Sequence, residues 1–259
     1  MTATLGPAAR AGRRAAIILS GLAGIALAGP AWAAPAAKAK PAATASKPKK
    51  AEAKAKAPAR PAPTPVQFTG TPSEGAIRLS RWIAASGDNR ALPYAIVDKP
   101  TASLALFNGK GELLEQVPVL LGIAAGDEAT PGIAKKKFAE IGPAEKTTPA
   151  GRYLARYGKA WGRQRVLWVD YATSVAIHPI PGDVSKSEQR RERMLSPEPD
   201  DNRITFGCIN VPSVFYTQRV RTMFGKKGGY VYVVPDVKPV ETVFPGVHTV
   251  PPLTVAAAG

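Results

Sequence analysis

Between residues 94 and 234 the chain is a series of short apolar runs interrupted by turn residues, and this pattern restricts its possible folds more than any other feature. The runs fall at 94–98, 103–107, 113–121, 152–157, 166–171, 175–178 and 230–234, too short for helices and rich in Val, Leu, Ile and Tyr. Asn108-Gly109-Lys110-Gly111, between the second and third, is a hairpin signal. Two segments carry a helical period instead. Ala76, Leu79 and Ile83 share a face that closes at Gly87. Tyr216, Val220, Met223 and Phe224 share another within 212–224, where Pro212 suits the first turn and Gly225 the exit. Many strands and few helices predict a mainly β domain of about 180 residues.

What precedes that domain is of another kind. Arg10, Arg13 and Arg14 lead an apolar run that Pro30 breaks, and Ala31-Trp32-Ala33 supplies a small-x-small cleavage site. Residues 1–33 therefore read as a signal peptide for general export to the periplasm, cleaved near Ala33. An uncleaved anchor is the rival reading, but the run from 15 to 33 is barely long enough to span a bilayer. Residues 34–66 are Ala, Pro and Lys without an apolar period, the composition of a disordered linker. Residues 1–66 hold eleven Lys/Arg and one acid, within a chain total of 35 Lys/Arg and 19 Asp/Glu. Most of the net charge of +16 thus lies outside the β domain, which argues against a nucleic-acid-binding fold. A solvated tether, with attraction to anionic wall polymer or membrane, is the simpler picture. The organisation expected is a helical lead-in at 67–92, the β domain at 93–245 and a flexible tail at 246–259.

One cysteine and two histidines are too few for an internal disulfide or a Cys/His metal centre. A lone thiol in an exported protein is a liability unless it is used, so Cys208 is the candidate nucleophile; a buried, inert thiol is the alternative. Gly207 permits a tight turn before it, and the amides of Gly207 and Cys208 are placed to face one oxyanion. A helix beginning at Pro212 would direct its positive end toward the sulfur and favour thiolate. His178 closes the run Val175-Ala176-Ile177-His178 ahead of a Pro/Gly turn and is the candidate general base, with His248 the weaker choice.

Thr205-Phe206-Gly207-Cys208-Ile209-Asn210-Val211 resembles the cysteine motif of the L,D-transpeptidase (YkuD-type) catalytic domains, Ser/Thr-His-Gly-Cys-hydrophobic-Arg/Asn. His178 fills that family's upstream histidine position. Thr147-Thr148-Pro149-Ala150-Gly151-Arg152-Tyr153 is similar to its Thr-Pro-x-Gly-x-Phe/Tyr segment, and 94–122 to its opening hairpin. The resemblance spans residues 93–235, in the family's order. It implies a β-sandwich with a helix after the nucleophile and a short N-terminal helix. It implies an acyltransferase that forms a thioester with peptidoglycan stem peptides and passes the acyl group to an amine, cross-linking the cell wall. The roles it implies are Cys208 as nucleophile, His178 as general base and acid, the Pro179 carbonyl as orienter of the imidazole, and the Gly207 and Cys208 amides as oxyanion donors. Thr205, Phe206 and Asn210 would shape the cleft, and no metal or organic cofactor is required.

Two departures stand out. Phe206 replaces the second histidine that usually precedes Gly-Cys. The span from His178 to Cys208 is longer than usual, its excess at 183–202 being dense in charge: either a lid or charged-substrate site, or a solvated loop. The stretch 126–146, with Lys135, Lys136 and Lys137, is a second insert on the same rim. Three rival functions remain. They are a hydrolase or carboxypeptidase on the same substrates, a non-catalytic wall-binding module of the same fold, and a surface-binding protein led by the basic tail.

Overall fold

The computed structural model describes residues 70–160, 164–182 and 186–249. The expected signal peptide and linker, and residues 250–259, lie outside the described residues. The chain is mainly β, with one large mixed sheet and few helices.

The strands are β1 (Tyr94–Asp98), β2 (Ser103–Phe107), β3 (Leu113–Pro118), β4 (Leu121–Gly122), β5 (Gly151–Lys159), β6 (Arg165–Asp170), β7 (Val175–Pro179), β8 (Arg203–Thr205), β9 (Ile209–Val211) and β10 (Gly229–Val234). Eight of them form a sheet in the order β3-β2-β1-β10-β5-β6-β7-β9, while β4 pairs separately with β8. The β2–β3 turn is the Asn-Gly segment, where Asn108 Oδ1 accepts from the amides of Lys110 (2.9 Å) and Glu112 (3.1 Å). Pairings are antiparallel except β1 with β10, β7 with β9 and β4 with β8.

The long strand β5 belongs to two halves of the sheet. Gly151 to Ala155 pair with β10, whereas Arg156 to Lys159 pair with β6. Both halves send side chains into one buried cluster: Ala95, Val97, Leu104 and Val117 from one, Leu167, Ile177, Ile209 and Val211 from the other. The sheet is thus folded over on its own core at β5. Strands β1 and β10 are buried along their whole length because their other face is covered as well. There Tyr94, Ile96, Tyr230 and Tyr232 pack against Leu79 and Ile83 of helix α1 (Glu74–Ser86). Ser73 caps α1 through the Ala76 amide (3.2 Å), and its own N–H and hydroxyl each lie 2.7 Å from the Asp98 carboxylate.

Two boundaries differ from the sequence expectation. The segment after Pro212 is not one regular α-helix: α3 (Ser213–Phe215) and α4 (Arg221–Phe224) flank a π turn at Tyr216–Val220. The wider turn lets Phe215 and Val220, five residues apart, both face the core. Packing also continues past residue 245. Val247 is 0% exposed, because a 3₁₀ turn at Pro245–Thr249 docks it beside Phe244 and Ile83. Within the described part of the charge-dense insert, residues 186–202, a short helix α2 (Arg190–Met194) buries Arg190 and Met194.

A buried ionic cluster pins the loops around the sheet's end. The Lys99 ammonium lies 3.0 Å from Asp127 and 3.2 Å from Asp236, and donates to the carbonyl oxygens of Gly126 (2.5 Å) and Thr148 (3.0 Å). Asp127 also accepts from the amides of Asp236, Val237 and Lys238, and Asp236 pairs with Arg203 at 2.7 Å. Burial pushes the Asp127 carboxyl up, but those backbone donors and the ammonium outweigh it and hold it below its ordinary value.

Candidate active site

The site is assembled where β7 and β9 run side by side. Val175 and Ile177 of β7 enter the core, so by alternation Ala176 and His178 face the other way. Register then selects their neighbours. Ile177 is opposite Ile209 and His178 opposite Asn210, so one step back along the same register sets Cys208 beside Ala176. Cys208, Asn210, Ala176 and His178 therefore share one face. Strand β9 is held on its other side by Leu120, whose amide and carbonyl each bond Asn210's backbone at 3.0 Å.

The imidazole is held from both nitrogens. Its Nδ1 lies 2.8 Å from the Pro179 carbonyl and its Nε2 3.4 Å from Asn210 Nδ2. Burial pushes His178 below its ordinary value, the Pro179 carbonyl draws it back, and the Arg190 charge lowers it again. His178 is therefore a neutral imidazole at pH 7.

The thiol is held differently. Cys208 Sγ donates to the Ser174 carbonyl at 3.6 Å, a carbonyl presented by a left-handed residue (Ser174 φ 61°). Burial pushes the thiol above its ordinary value, against smaller downward effects from the Ala176 amide and Arg190. The helix expected to favour thiolate begins one strand further along. The chain first runs through β9, about 10 Å of strand, before α3 begins. Cysteine and histidine thus share one face in their neutral forms, and among the described hydrogen bonds the thiol is engaged with Ser174 rather than with the imidazole.

Between β8 and β9 the nucleophile's loop is tied by Thr205. Its hydroxyl donates to the Cys208 carbonyl (2.6 Å) and accepts from the Gly207 amide (3.1 Å). The expected pair of oxyanion donors is therefore altered. The Gly207 N–H is consumed within the loop, whereas the Cys208 N–H has no protein partner among the described residues. Thr205 and Asn210, expected to shape the cleft, are 2% and 0% exposed and support it from behind. Gly207 is required by geometry: its φ is +117°, and a Cβ there would lie 2.6 Å from the Thr147 carbonyl. Its own carbonyl accepts from Thr148 Oγ1 (2.9 Å), which in turn accepts from the Gly122 amide (2.9 Å).

Phe206 points outward at 38% exposure, its ring edge-on to Phe138 (5.4 Å) and beneath the Lys146 ammonium (3.7 Å). The 126–146 stretch therefore contributes an aromatic and a cation beside the nucleophile's loop. Sequence reasoning singled out neither, and it gave Thr148, Ser174 and Arg190 no role. Arg190 was one charge among many in the insert; its Nη1 lies 2.8 Å from Asn210 Oδ1 and its Nε 2.5 Å from Glu188. His248 lies in the 3₁₀ turn that closes over α1, on an element remote in the chain from β7 and β9.

Chemically, this is a neutral imidazole and a neutral thiol on one sheet face, with an amide at the sulfur's own residue that has no partner among the described residues. Such a set suits acyl transfer by base-assisted thiol attack. Comparison with protein-family models gives no match, and comparison with curated proteins gives none either.

Proposed function

We propose that the chain is an exported cysteine acyltransferase of the L,D-transpeptidase kind, built on that family's β-sandwich and acting on peptidoglycan stem peptides. The observation that carries the reading is the β7–β9 register, which puts Cys208 and His178 on one face with the Pro179 carbonyl on the imidazole. Because both groups are neutral at rest, attack is coupled to proton transfer rather than made by a standing thiolate.

The thiol first leaves the Ser174 carbonyl. Sγ then adds to the carbonyl carbon of the third stem residue while His178 takes the thiol proton, and the Cys208 amide faces the oxygen that gains charge. The C–N bond to the terminal D-alanine breaks, His178 returns the proton to the departing amine, and a thioester remains. A side-chain amine of a second stem displaces the sulfur, giving the cross-link and restoring the thiol. Water in the amine's place makes the same site a carboxypeptidase. The Lys-rich segment at 34–66 serves in this reading as a tether with affinity for anionic wall or membrane.

A second reading, a non-catalytic wall-binding module, draws on Phe206 and on the raised thiol tied to Ser174. Intact-mass analysis separates the two. The acyltransferase gives a covalent adduct with a carbapenem and releases D-alanine from a tetrapeptide muropeptide, and Cys208→Ala abolishes both. A folded protein with a reduced thiol that does neither is the binding module.

A further inference from the structure

Among the described residues, the charge-dense insert reaches the site through Arg190. Arg190 is 6% exposed, at the start of α2, behind a residue in a left-handed conformation (Gln189 φ 49°). A long amide side chain adopts that backbone at a cost, and here the turn directs the guanidinium inward. It contacts Glu188 on one side and Asn210 on the other, and Asn210 contacts His178.

The polarity of this chain follows from its ends. A guanidinium only donates, so Asn210 must present its oxygen to Arg190 and therefore its NH₂ to the imidazole. The NH₂ donates to Nε2, which must then be the unprotonated nitrogen. At the other end the Pro179 carbonyl only accepts, so Nδ1 carries the proton. Each of the four links is consistent with the next, and reversing Asn210 would place its NH₂ against the guanidinium and its oxygen against Nε2.

We propose that Arg190 is a positioning residue which, through the orientation of Asn210, holds His178 in the tautomer with a proton on Nδ1 and an unprotonated Nε2. That unprotonated nitrogen is the one a general base requires once the thiol takes the place of the Asn210 NH₂, so the consequence for catalysis rests on the acyltransferase reading; the tautomer itself does not. The charged and titratable groups around the imidazole are Arg190 from α2 with its partner Glu188, and Cys208 from the β8–β9 loop. Glu188 and Arg190 of the insert thereby supply part of the site.

Histidine-¹⁵N NMR of the chain tests this, with His178 identified by its loss in His178→Gln. Above its titration, wild-type His178 shows a protonated Nδ1 and an unprotonated Nε2. Arg190→Leu frees Asn210 to turn, so the two nitrogens move toward averaged positions. Arg190→Gln, whose amide still donates to Asn210, restores the separation. Carbapenem acylation of Cys208 falls by at least about tenfold in Arg190→Leu and recovers in Arg190→Gln. If Arg190→Leu does not fold, Asn210→Asp serves. Its carboxylate cannot donate to Nε2, so that nitrogen gains a proton. An unchanged nitrogen pattern in whichever variant folds overturns the proposal, as does a wild-type proton on Nε2. A wild-type protein with the expected nitrogens and no acylation overturns the acyltransferase reading alone.

Discussion

Lys99→Met removes the hub of the buried cluster at the end of β1, and the structure sets the size of the effect. The ammonium has a fully buried side chain and touches two carboxylates and two carbonyls. Breaking a buried pair by removing one partner costs about 3–5 kcal/mol. Here neither acid is left bare, because Asp127 keeps three backbone donors and Asp236 keeps Arg203. The loss therefore falls at the lower end, about 3 kcal/mol, arising from the Gly126 and Thr148 carbonyls and the weakened acids. For a domain of this size that lowers Tm by about 6–12 °C. Urea unfolding at pH 7 reads it directly. The pH dependence has a definite sign. Asp127 has a lowered folded value, so its contribution is present above the ordinary aspartate range and is lost as pH falls through the folded value. The gap between wild type and Lys99→Met therefore narrows in acid. A loss below about 1 kcal/mol, or a gap that widens in acid, refutes the argument.

Other expectations follow from the site. Gly207→Ala forces a side chain to φ +117° against the Thr147 carbonyl, so thermal unfolding shows a loss of about 2–3 kcal/mol and carbapenem acylation disappears. Thr148→Val strips the partner from the Gly122 amide and the Gly207 carbonyl, costing about 2 kcal/mol in urea unfolding and slowing acylation. Iodoacetamide alkylation of Cys208 rises with pH to a midpoint above the ordinary thiol value, since burial raises the group; a midpoint near neutrality contradicts the neutral pair. Acylation rates rise with pH through the lowered His178 value, so half-maximal activity lies below the ordinary histidine value of 6.5. Phe206→Ala, at an exposed position, changes stability by no more than about 1 kcal/mol, because only the Phe138 edge and the Lys146 cation are lost.

What the sequence revealed divides by range. Strands β1, β2 and β7 and helix α1 carry their own period and their own stops, so they were legible as local patterns. Strands β8 and β9 have three residues each and no readable alternation; they exist because β4 and β7 offer them partners. The double membership of β5 was likewise invisible, since nothing in Gly151–Lys159 marks where one half of the sheet passes to the other. Cys208 and His178 were singled out by residue type and position, and the β7–β9 register sets them on one face. Lys99 and Arg190 were not, because a lysine in a turn and an arginine in a charged run look solvated until the fold buries them. The oxyanion expectation failed at Gly207 for a related reason: its amide is claimed by a hydroxyl two residues away, a contact that depends on the loop's shape.

The position of β10 has a consequence for how the chain reaches this structure. The last strand lies between β1 and β5, with Tyr230 paired to Tyr94 on one side and to Leu154 on the other. No stretch of chain ending before Gly229 contains both halves of the sheet joined, and the pairings that join them link segments far apart in sequence. Loop closure over that distance precedes any reward from packing, so folding is slow and late. During synthesis the hydrophobic strands emerge long before their central partner and stay exposed until it arrives. A chain truncated before Gly229 would leave β1 and β5 as open edges and accumulate as an aggregation-prone, protease-sensitive species rather than as a smaller folded domain.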